Sequence, residues 1–253
     1  GDLSVLGPIN AYKSIVGMLF AFIIIREVPN TWGLLGMALI IIGSYFVLDT
    51  TEEKFSWKLF KISWSDVFEP HILPVFWVML FVSFSSGVVI TLLPDISKNI
   101  GWHNKGLYFT IYTISSIVVR IFFSKTSDRY GRIPVLLVSS AVLAASMGVM
   151  LIHLNSYTVI LSAILFGFAW GFNTPTLAAW TTDLANKNHM GRAMATMYIA
   201  LEVGIGLGAF FAGMIYKGLQ ERIPIPFAIS GVLAIISFFL LLNYHKNWQK
   251  NGI

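Results

Sequence analysis

Long apolar runs alternate with short polar links along the whole chain. A helix needs roughly 20 mainly apolar residues to cross a bilayer, and these runs approach or reach that length. The runs are continuous, whereas the strands of a membrane β-barrel alternate in polarity over about ten residues. The sequence therefore predicts an all-α integral membrane protein with about eight transmembrane helices. They are expected at about 8–25, 31–48, 72–93, 106–123, 133–153, 156–178, 192–215 and 223–243.

The composition agrees with a membrane protein and excludes several functions. Of the 253 residues, 56% are hydrophobic and 11% are charged, whereas soluble domains carry about 25% charged residues. The net charge of +5 fits Lys and Arg at membrane edges, and no basic run is dense enough to follow a nucleic-acid backbone. Cysteine is absent, and the sequence shows no catalytic triad, nucleotide motif or paired histidines. We therefore expect no nucleic-acid partner, enzyme activity, catalytic residue, metal or cofactor.

The distribution of Lys and Arg predicts the orientation. Four charged residues lie within the nine residues Ser124–Arg132, between two apolar runs. If this stretch is cytoplasmic, the links of the last six spans carry ten Lys and Arg residues on the cytoplasmic side and four on the other. Such an excess follows the positive-inside rule. It predicts that both termini are cytoplasmic, and we expect the protein in the inner (plasma) membrane of a bacterium.

The longest polar link, 49–71, is the best domain boundary. It mixes charged residues with Trp57, Trp64 and Phe68, which is typical of a segment that lies on the membrane surface. The predicted organisation is a helix pair at 1–50, an amphipathic cytoplasmic linker at 51–71, and six helices at 72–253.

The charged stretch resembles a loop of the major facilitator superfamily. Asp128–Arg132 is similar to the family's Gly-x-x-x-Asp-Arg-x-Gly-Arg-Arg loop, with Ser124 at the first Gly and Ile133 at the last Arg. The stretch 106–120 resembles helix eight of efflux-like members, and 191–208 resembles their helix eleven with the loop before it. By this resemblance, the region from about 60 to 250 is the C-terminal six-helix half of such a transporter.

This resemblance implies a function for the chain. An intact relative is expected to move a small organic solute by alternating access of two helix bundles around a cavity in mid-membrane. Family analogy further implies proton-coupled efflux. The implied partners are the solute, protons, membrane lipid, and either a missing N-terminal half or a second copy of the chain.

Residues 1 to about 50 resemble a different family. The stretches 6–13 and 32–36, with Glu27 between them, are similar to the last two helices of an EamA-type drug/metabolite transporter repeat. The chain is therefore interpreted as a join between Asp49 and Lys61, and its start at Gly1 suggests a fragment or a processed product. A natural fusion, an engineered join and a misassembled reading frame all remain open. The alternative function is a non-transporting fragment or fusion artefact of two transporter genes.

The facilitator-like turn supplies a candidate gating loop. Asp128 is expected to accept hydrogen bonds from a helix N-terminus or an arginine and to release them as the halves rock. Gly131 permits a tight or left-handed backbone. The alternative interpretation is a solvated loop that only obeys the charge bias. The gating candidates are Asp128, Arg129, Gly131 and Arg132.

Two charged residues lie inside predicted spans, Arg120 and Glu202. Intramembrane charges are costly and usually pair with one another or line water, so we expect an ion pair or a proton relay. Arg120 can instead extend to the inner surface near the turn. Glu202 lies near the middle of its span and has no such exit.

Polar and aromatic residues on several spans are candidates for the substrate cavity. An amide in lipid needs partners, which favours Asn173, and aromatic side chains beside it can stack on an organic solute. Pro175 is expected to bend the span near Asn173. Interhelical hydrogen bonds or an interfacial position remain the alternative for each residue. The candidates are Asn173, Trp170, Thr174, Tyr112, Ser86 and Tyr198.

Small residues are concentrated in the seventh predicted span. Gly204, Gly206, Gly208 and Gly213 lie close together there. Small residues let the backbones of membrane helices approach each other closely. We therefore expect this span to pack tightly against a neighbouring helix.

Overall fold

A computed structural model of the chain describes residues 34–36, 38–39, 42, 68–186 and 189–250. The chain divides into two compact units, Glu69–Ala185 with Ala193–Ile253, and Gly1–Phe68 with Asn186–Arg192. In the second of these units, residues 34–36, 38–39 and 42 are helical. The rest of the helix pair expected at 1–50, and the linker up to residue 67, lie outside the described residues.

The larger unit is built from helices. Five of its helical segments are long and apolar enough to cross a membrane, and α2, with 17 residues, is shorter. The all-α membrane fold expected from the sequence is confirmed. Short 3₁₀ turns precede the first and last helices at Pro70–Ile72 and Gln220–Arg222. The helices are α1 Leu73–Asn99, α2 Leu107–Phe123, α3 Thr126–Tyr130, α4 Arg132–Val149, α5 Ser156–Leu184, α6 Met190–Tyr216 and α7 Pro224–Lys250.

Local sequence explains several helix ends. Asn155 caps α5, because its side-chain oxygen accepts hydrogen bonds from the backbone N–H groups of Tyr157 and Thr158 at 2.9 and 3.0 Å. Thr158 in turn accepts a bond of 3.0 Å from the N–H of Asn155, which completes a capping box. Pro224 opens α7, a position where the missing N–H of proline costs nothing.

The helices pack in a defined order of neighbours. α5 lies against α2 on one side and α4 on the other, α4 lies against α7, and α7 lies against α1. Most of the largest fully buried side chains are apolar. They include Leu92, Leu136, Leu143, Met147, Leu177 and Phe227.

Glycine contacts join α6 to α1. A Cβ atom on Gly208 would overlap the carbonyl oxygen of Phe84, and one on Gly87 would overlap that of Ile205. A Cβ on Gly204 would lie 2.5 Å from the carbonyl oxygen of Leu80. The two backbones therefore touch directly, as expected from the run of glycines. Gly206 and Gly213, by contrast, have no atom within 4 Å of a Cβ position, so they face away from this contact.

Glycine contacts also join α5 to α2. A Cβ on Gly167 would overlap the carbonyl oxygen of Tyr112, and one on Gly171 would lie 2.9 Å from the Cβ of Val119. One turn further along α5 stands Pro175, which has no N–H to donate to the carbonyl of Gly171. The closest approach of the two helices therefore lies directly before a break in the hydrogen bonding of α5.

Buried hydroxyl groups connect the same helices. Tyr108 is fully buried on α2, and its phenol lies 3.3 Å from the hydroxyl of Ser162 on α5. Ser146 on α4 donates a bond of 2.9 Å to the carbonyl oxygen of Ser162. Because a buried hydroxyl without a partner is costly, this chain of bonds favours one relative arrangement of α2, α4 and α5.

We predict that Gly208→Ala destabilises the protein, because the new methyl group would overlap the backbone of α1. Overpacking of this kind costs about 1–3 kcal/mol. Gly206→Ala is the matched control on the same helix, and it is expected to be neutral or slightly stabilising because alanine favours a helix over glycine. The measurement is the temperature at which the detergent-purified protein loses its monodisperse chromatographic peak. Equal midpoints for the two variants would contradict the packing described.

Candidate functional site

The charged stretch folds as a short helix between two longer ones. α2 ends at Phe123, α3 covers Thr126–Tyr130, and α4 begins at Arg132. Gly131 joins α3 to α4 with φ +91°, a backbone conformation that residues with a Cβ rarely adopt. The expected tight turn is therefore a five-residue helix followed by a glycine link. The conformation of Gly131 sets the direction of the Arg132 side chain at the start of α4.

Arg132 joins three elements through its guanidinium. Its Nε donates to Asp183 Oδ2 at 2.9 Å, and its Nη1 donates to Ser127 Oγ at 3.0 Å and also to Asp128 Oδ1. Asp128 and Ser127 belong to α3, whereas Asp183 is in the last turn of α5. We refer to Arg132, Asp128 and Asp183 as the arginine cluster. It holds the neighbouring ends of α3, α4 and α5 together at one end of the bundle.

The arginine cluster also offsets an unfavourable charge at the C-terminal end of α5. A carboxylate in the last turn of a helix lies near the negative end of the helix dipole, which disfavours it. Asp183 is in that position on α5, and the guanidinium of Arg132 offsets the repulsion. The side chain of Arg132 is 22% exposed, while those of Asp128 and Asp183 are 64% and 50% exposed. Both carboxylates therefore keep oxygen atoms open to solvent or to a further donor.

Asp183 was not identified from the sequence. Arg132 and Asp183 are 51 positions apart, and no local motif links them. The sequence offered one weak signal. Asp183 is an acidic residue just beyond the predicted span 156–178, and that end of the span is predicted on the same side of the membrane as the turn. Of the four gating candidates, Asp128 and Arg132 pair directly and Gly131 forms the link. Arg129 instead lies over the ring of Tyr130, with its guanidinium carbon 5.4 Å from the ring centre.

A cavity of about 150 Å³ adjoins the arginine cluster. It lies between the end of α2 and the middle of α5, where Pro175 follows the close contact at Gly171. Ser127, which accepts a hydrogen bond from Arg132, also lines this cavity. Arg120 lines it from the last turn of α2. The cavity is therefore linked to the arginine cluster through the hydroxyl of Ser127.

Arg120 and Glu202 lie on α2 and α6. Arg120 is exposed, and within the part of the chain that the structure describes it forms no ion pair. Glu202 is exposed on α6. An ion pair or a relay that involves both side chains stays a prediction.

The cavity candidates fall into separate groups. Trp170 stacks on Phe166 at 5.9 Å between ring centres, and Tyr112 meets the same ring edge-on at 5.6 Å. The hydroxyl of Thr174 lies 3.4 Å from the carbonyl oxygen of Trp170. Thus Tyr112, Trp170 and Thr174 are close neighbours along α2 and α5. Ser86 is buried on α1, and Tyr198 is half-buried on α6.

Asn173 lies on a different face of α5, between α5 and α4. It is 1% exposed, and its carbonyl oxygen accepts a hydrogen bond of 2.5 Å from Ser139 on α4. Its amide nitrogen has no partner in the part of the chain that the structure describes. The contact with Ser139 is an interhelical hydrogen bond, which was the alternative interpretation for this residue.

Comparison with known proteins identifies the family. Residues 75–253 match the family model of the Major Facilitator Superfamily. The multi-drug resistance efflux pump PmrA of Streptococcus pneumoniae TIGR4 is 24% identical over 189 residues, which cover 72% of this chain and 44% of that protein. The class B tetracycline resistance protein of Escherichia coli is 27% identical over 185 residues, which cover 68% of this chain and 43% of that protein.

A third relative comes from an archaeon. The uncharacterized MFS-type transporter MJ1560 of Methanocaldococcus jannaschii is 23% identical over 187 residues, which cover 70% of this chain and 47% of that protein. The chain thus spans less than half the length of each of these relatives. Because the family match covers most of the chain and coincides with its apolar helices, this protein belongs to the Major Facilitator Superfamily of membrane transporters.

Proposed function

We propose that this chain forms one helix bundle of a secondary transporter that exports a small organic solute by alternating access, driven by protons. The observation that carries the proposal is the arginine cluster, which ties three helix ends together at one end of the bundle. Two of the relatives are named for efflux or resistance, and this supports export as the direction. We further propose that this end of the bundle is cytoplasmic.

The strength of the arginine cluster suits a gate. Ion pairs between partly exposed side chains contribute about 0.2–1 kcal/mol each. Interactions of this size can form and break within a transport cycle. The exposed oxygen atoms of Asp128 and Asp183 leave room for donors from a second bundle. We propose that this second bundle is an N-terminal half or another copy of the chain.

The alternative function is a fragment or fusion artefact that does not transport. It is favoured by one observation, namely that the family match begins at residue 75, after a stretch that resembles EamA-type repeats. Long-read sequencing of the gene across the codons of residues 49–61 tests this alternative. Uninterrupted reads that continue upstream into a full EamA repeat support a natural fusion. A lack of spanning reads assigns the join to misassembly.

We predict that Asp183→Asn slows export by the intact transporter, because the amide cannot attract the guanidinium of Arg132. The expected loss is about fivefold in initial rate, which corresponds to about 1 kcal/mol. The measurement is efflux of ethidium and of tetracycline from cells that lack their own drug pumps, with the amount of protein in the membrane held equal. Glu221→Gln, in the exposed turn at Gln220–Arg222, is the matched control. Unchanged export in both Asp183→Asn and Arg132→Gln would rule out the cluster as a gate.

We also predict that Glu202→Gln uncouples export from protons. Glutamine has nearly the same shape as glutamate but cannot bind and release a proton. In everted membrane vesicles, the variant is expected to lose substrate accumulation driven by a pH gradient while it retains exchange of labelled for unlabelled substrate. Glu221→Gln again serves as the control. Accumulation at the wild-type rate in Glu202→Gln would exclude Glu202 as the proton site.

A further inference from the structure

An apolar groove lies on the side of the bundle next to α3. Its volume is about 390 Å³, and it runs between the end of α2, α3 and the start of α4, with α5 behind it. For comparison, a closed apolar cavity of about 150 Å³ holds a benzene-sized molecule. Apart from the hydroxyl groups of Thr126 and Tyr130, its lining side chains are hydrocarbon. The wall includes Phe123, Val135, Val138, Phe168 and Phe172.

The groove is separate from the cavity beside the arginine cluster. Phe123 and Phe172 line both spaces, and their rings pack 5.9 Å apart between centres. These two rings therefore form the partition. Arg120 lines the cavity, whereas no charged side chain lines the groove among the described residues.

The groove opens to the side of the helices. Tyr130 and Val138, both on its wall, are 63% and 58% exposed. An apolar surface that opens sideways from a transmembrane helix meets lipid chains. Binding sites for polar solutes contain several polar groups that fix orientation, and this wall offers only the two hydroxyl groups. The geometry therefore favours a hydrocarbon chain over a polar solute.

Two cations stand at the rim of the groove. Lys125 precedes Thr126, and Arg129 lies over the ring of Tyr130, so both are adjacent to residues of the groove wall. Both side chains are exposed, and within the described part of the chain neither forms an ion pair. The nearby carboxylates of Asp128 and Asp183 are bound to Arg132. An anion at the rim would therefore meet two cations that have no ion pair among the described residues and that adjoin a hydrocarbon groove.

We propose that this groove binds an anionic phospholipid, with one acyl chain along Phe123, Val138 and Phe168 and the phosphate at Lys125 and Arg129. Basic residues at the membrane surface, next to apolar grooves between helices, recognise anionic lipid head groups. The bound chain would cover the exposed ring of Tyr130 and hold α3 against α4. This site does not depend on whether the chain transports a solute.

Native mass spectrometry of the full 253-residue chain in detergent tests the proposal. Phosphatidylglycerol is expected to bind at lower concentration than phosphatidylcholine with the same acyl chains. The double variant Lys125→Gln/Arg129→Gln is expected to weaken phosphatidylglycerol binding by roughly 25-fold, or roughly fivefold for each cation. Lys98→Gln/Lys105→Gln removes two exposed cations, one in the last turn of α1 and one in the link that follows it, and is expected to bind as the wild type does. Equal binding by both double variants would overturn the proposal.

A second pair of variants tests the groove itself. Val138→Trp fills the groove and is expected to reduce the bound amount of both lipids. Val232→Trp on α7 is the matched control, since Val232 is 55% exposed and Val138 is 58% exposed. Circular dichroism and a monodisperse chromatographic peak confirm that each variant is folded. Equal lipid binding by the two tryptophan variants would overturn the assignment of the acyl chain.

Two further outcomes distinguish other occupants. Inorganic phosphate at the same concentration is expected not to displace phosphatidylglycerol. Displacement by phosphate would show that the rim binds a free anion, and it would overturn the proposed phospholipid site. If Val138→Trp instead converts a dimer of the chain into a monomer without a change in lipid binding, the groove is a contact between two copies.

Discussion

The close approach of α5 to α2 is the constraint on which the rest of the site depends. At Gly167 the backbone of α5 lies directly against the backbone of α2, and at Gly171 it lies against the side chain of Val119. Membrane helices gain little from hydrophobic association and rely instead on close packing and hydrogen bonds. The buried bonds between Tyr108, Ser162 and Ser146 add to that contact. Just beyond it, Pro175 interrupts the hydrogen bonding of α5, and the two helices enclose the cavity beside the arginine cluster.

The arginine cluster forms because the packing of α5 against α2 and α4 brings its members together. Its own interactions are between partly exposed groups and are individually weak. With α5 fixed against α2 and α4, however, the last turn of α5 returns to the start of α4. A single guanidinium then reaches carboxylates from two elements at once. Weak contacts on a rigid base can open and close without loss of the fold, and a gate requires this property.

Much of the fold was predictable from sequence because lipid imposes a simple rule. In a bilayer, backbone groups must bond within each segment, so apolar length identifies helices. The expected span at 106–123 matches α2, Leu107–Phe123. Other helices run past their apolar stretches, since a helix can continue into water. α1 passes Pro94 and ends at Asn99, and α5 continues to Leu184 rather than 178.

The site was only partly predictable, and the reason is geometric. Asp128, Gly131 and Arg132 lie in one short motif and were identified together. Asp183 and Ser139 contact their partners across 51 and 34 positions of sequence, and only the packing of α4 against α5 brings them there. Periodicity indicates that a helix exists, but it does not say which residue on the next helix a side chain will meet.

Charges of both signs lie in and around the short helix α3. Arg132 carries one positive charge and is bound by two carboxylates, so the arginine cluster has one negative charge in excess. Lys125 and Arg129 carry two positive charges without a described ion pair. These five groups lie within and around a helix of five residues. A rotation of α3 about its own axis would therefore separate Asp128 from Arg132 and change the distances among all of these charges.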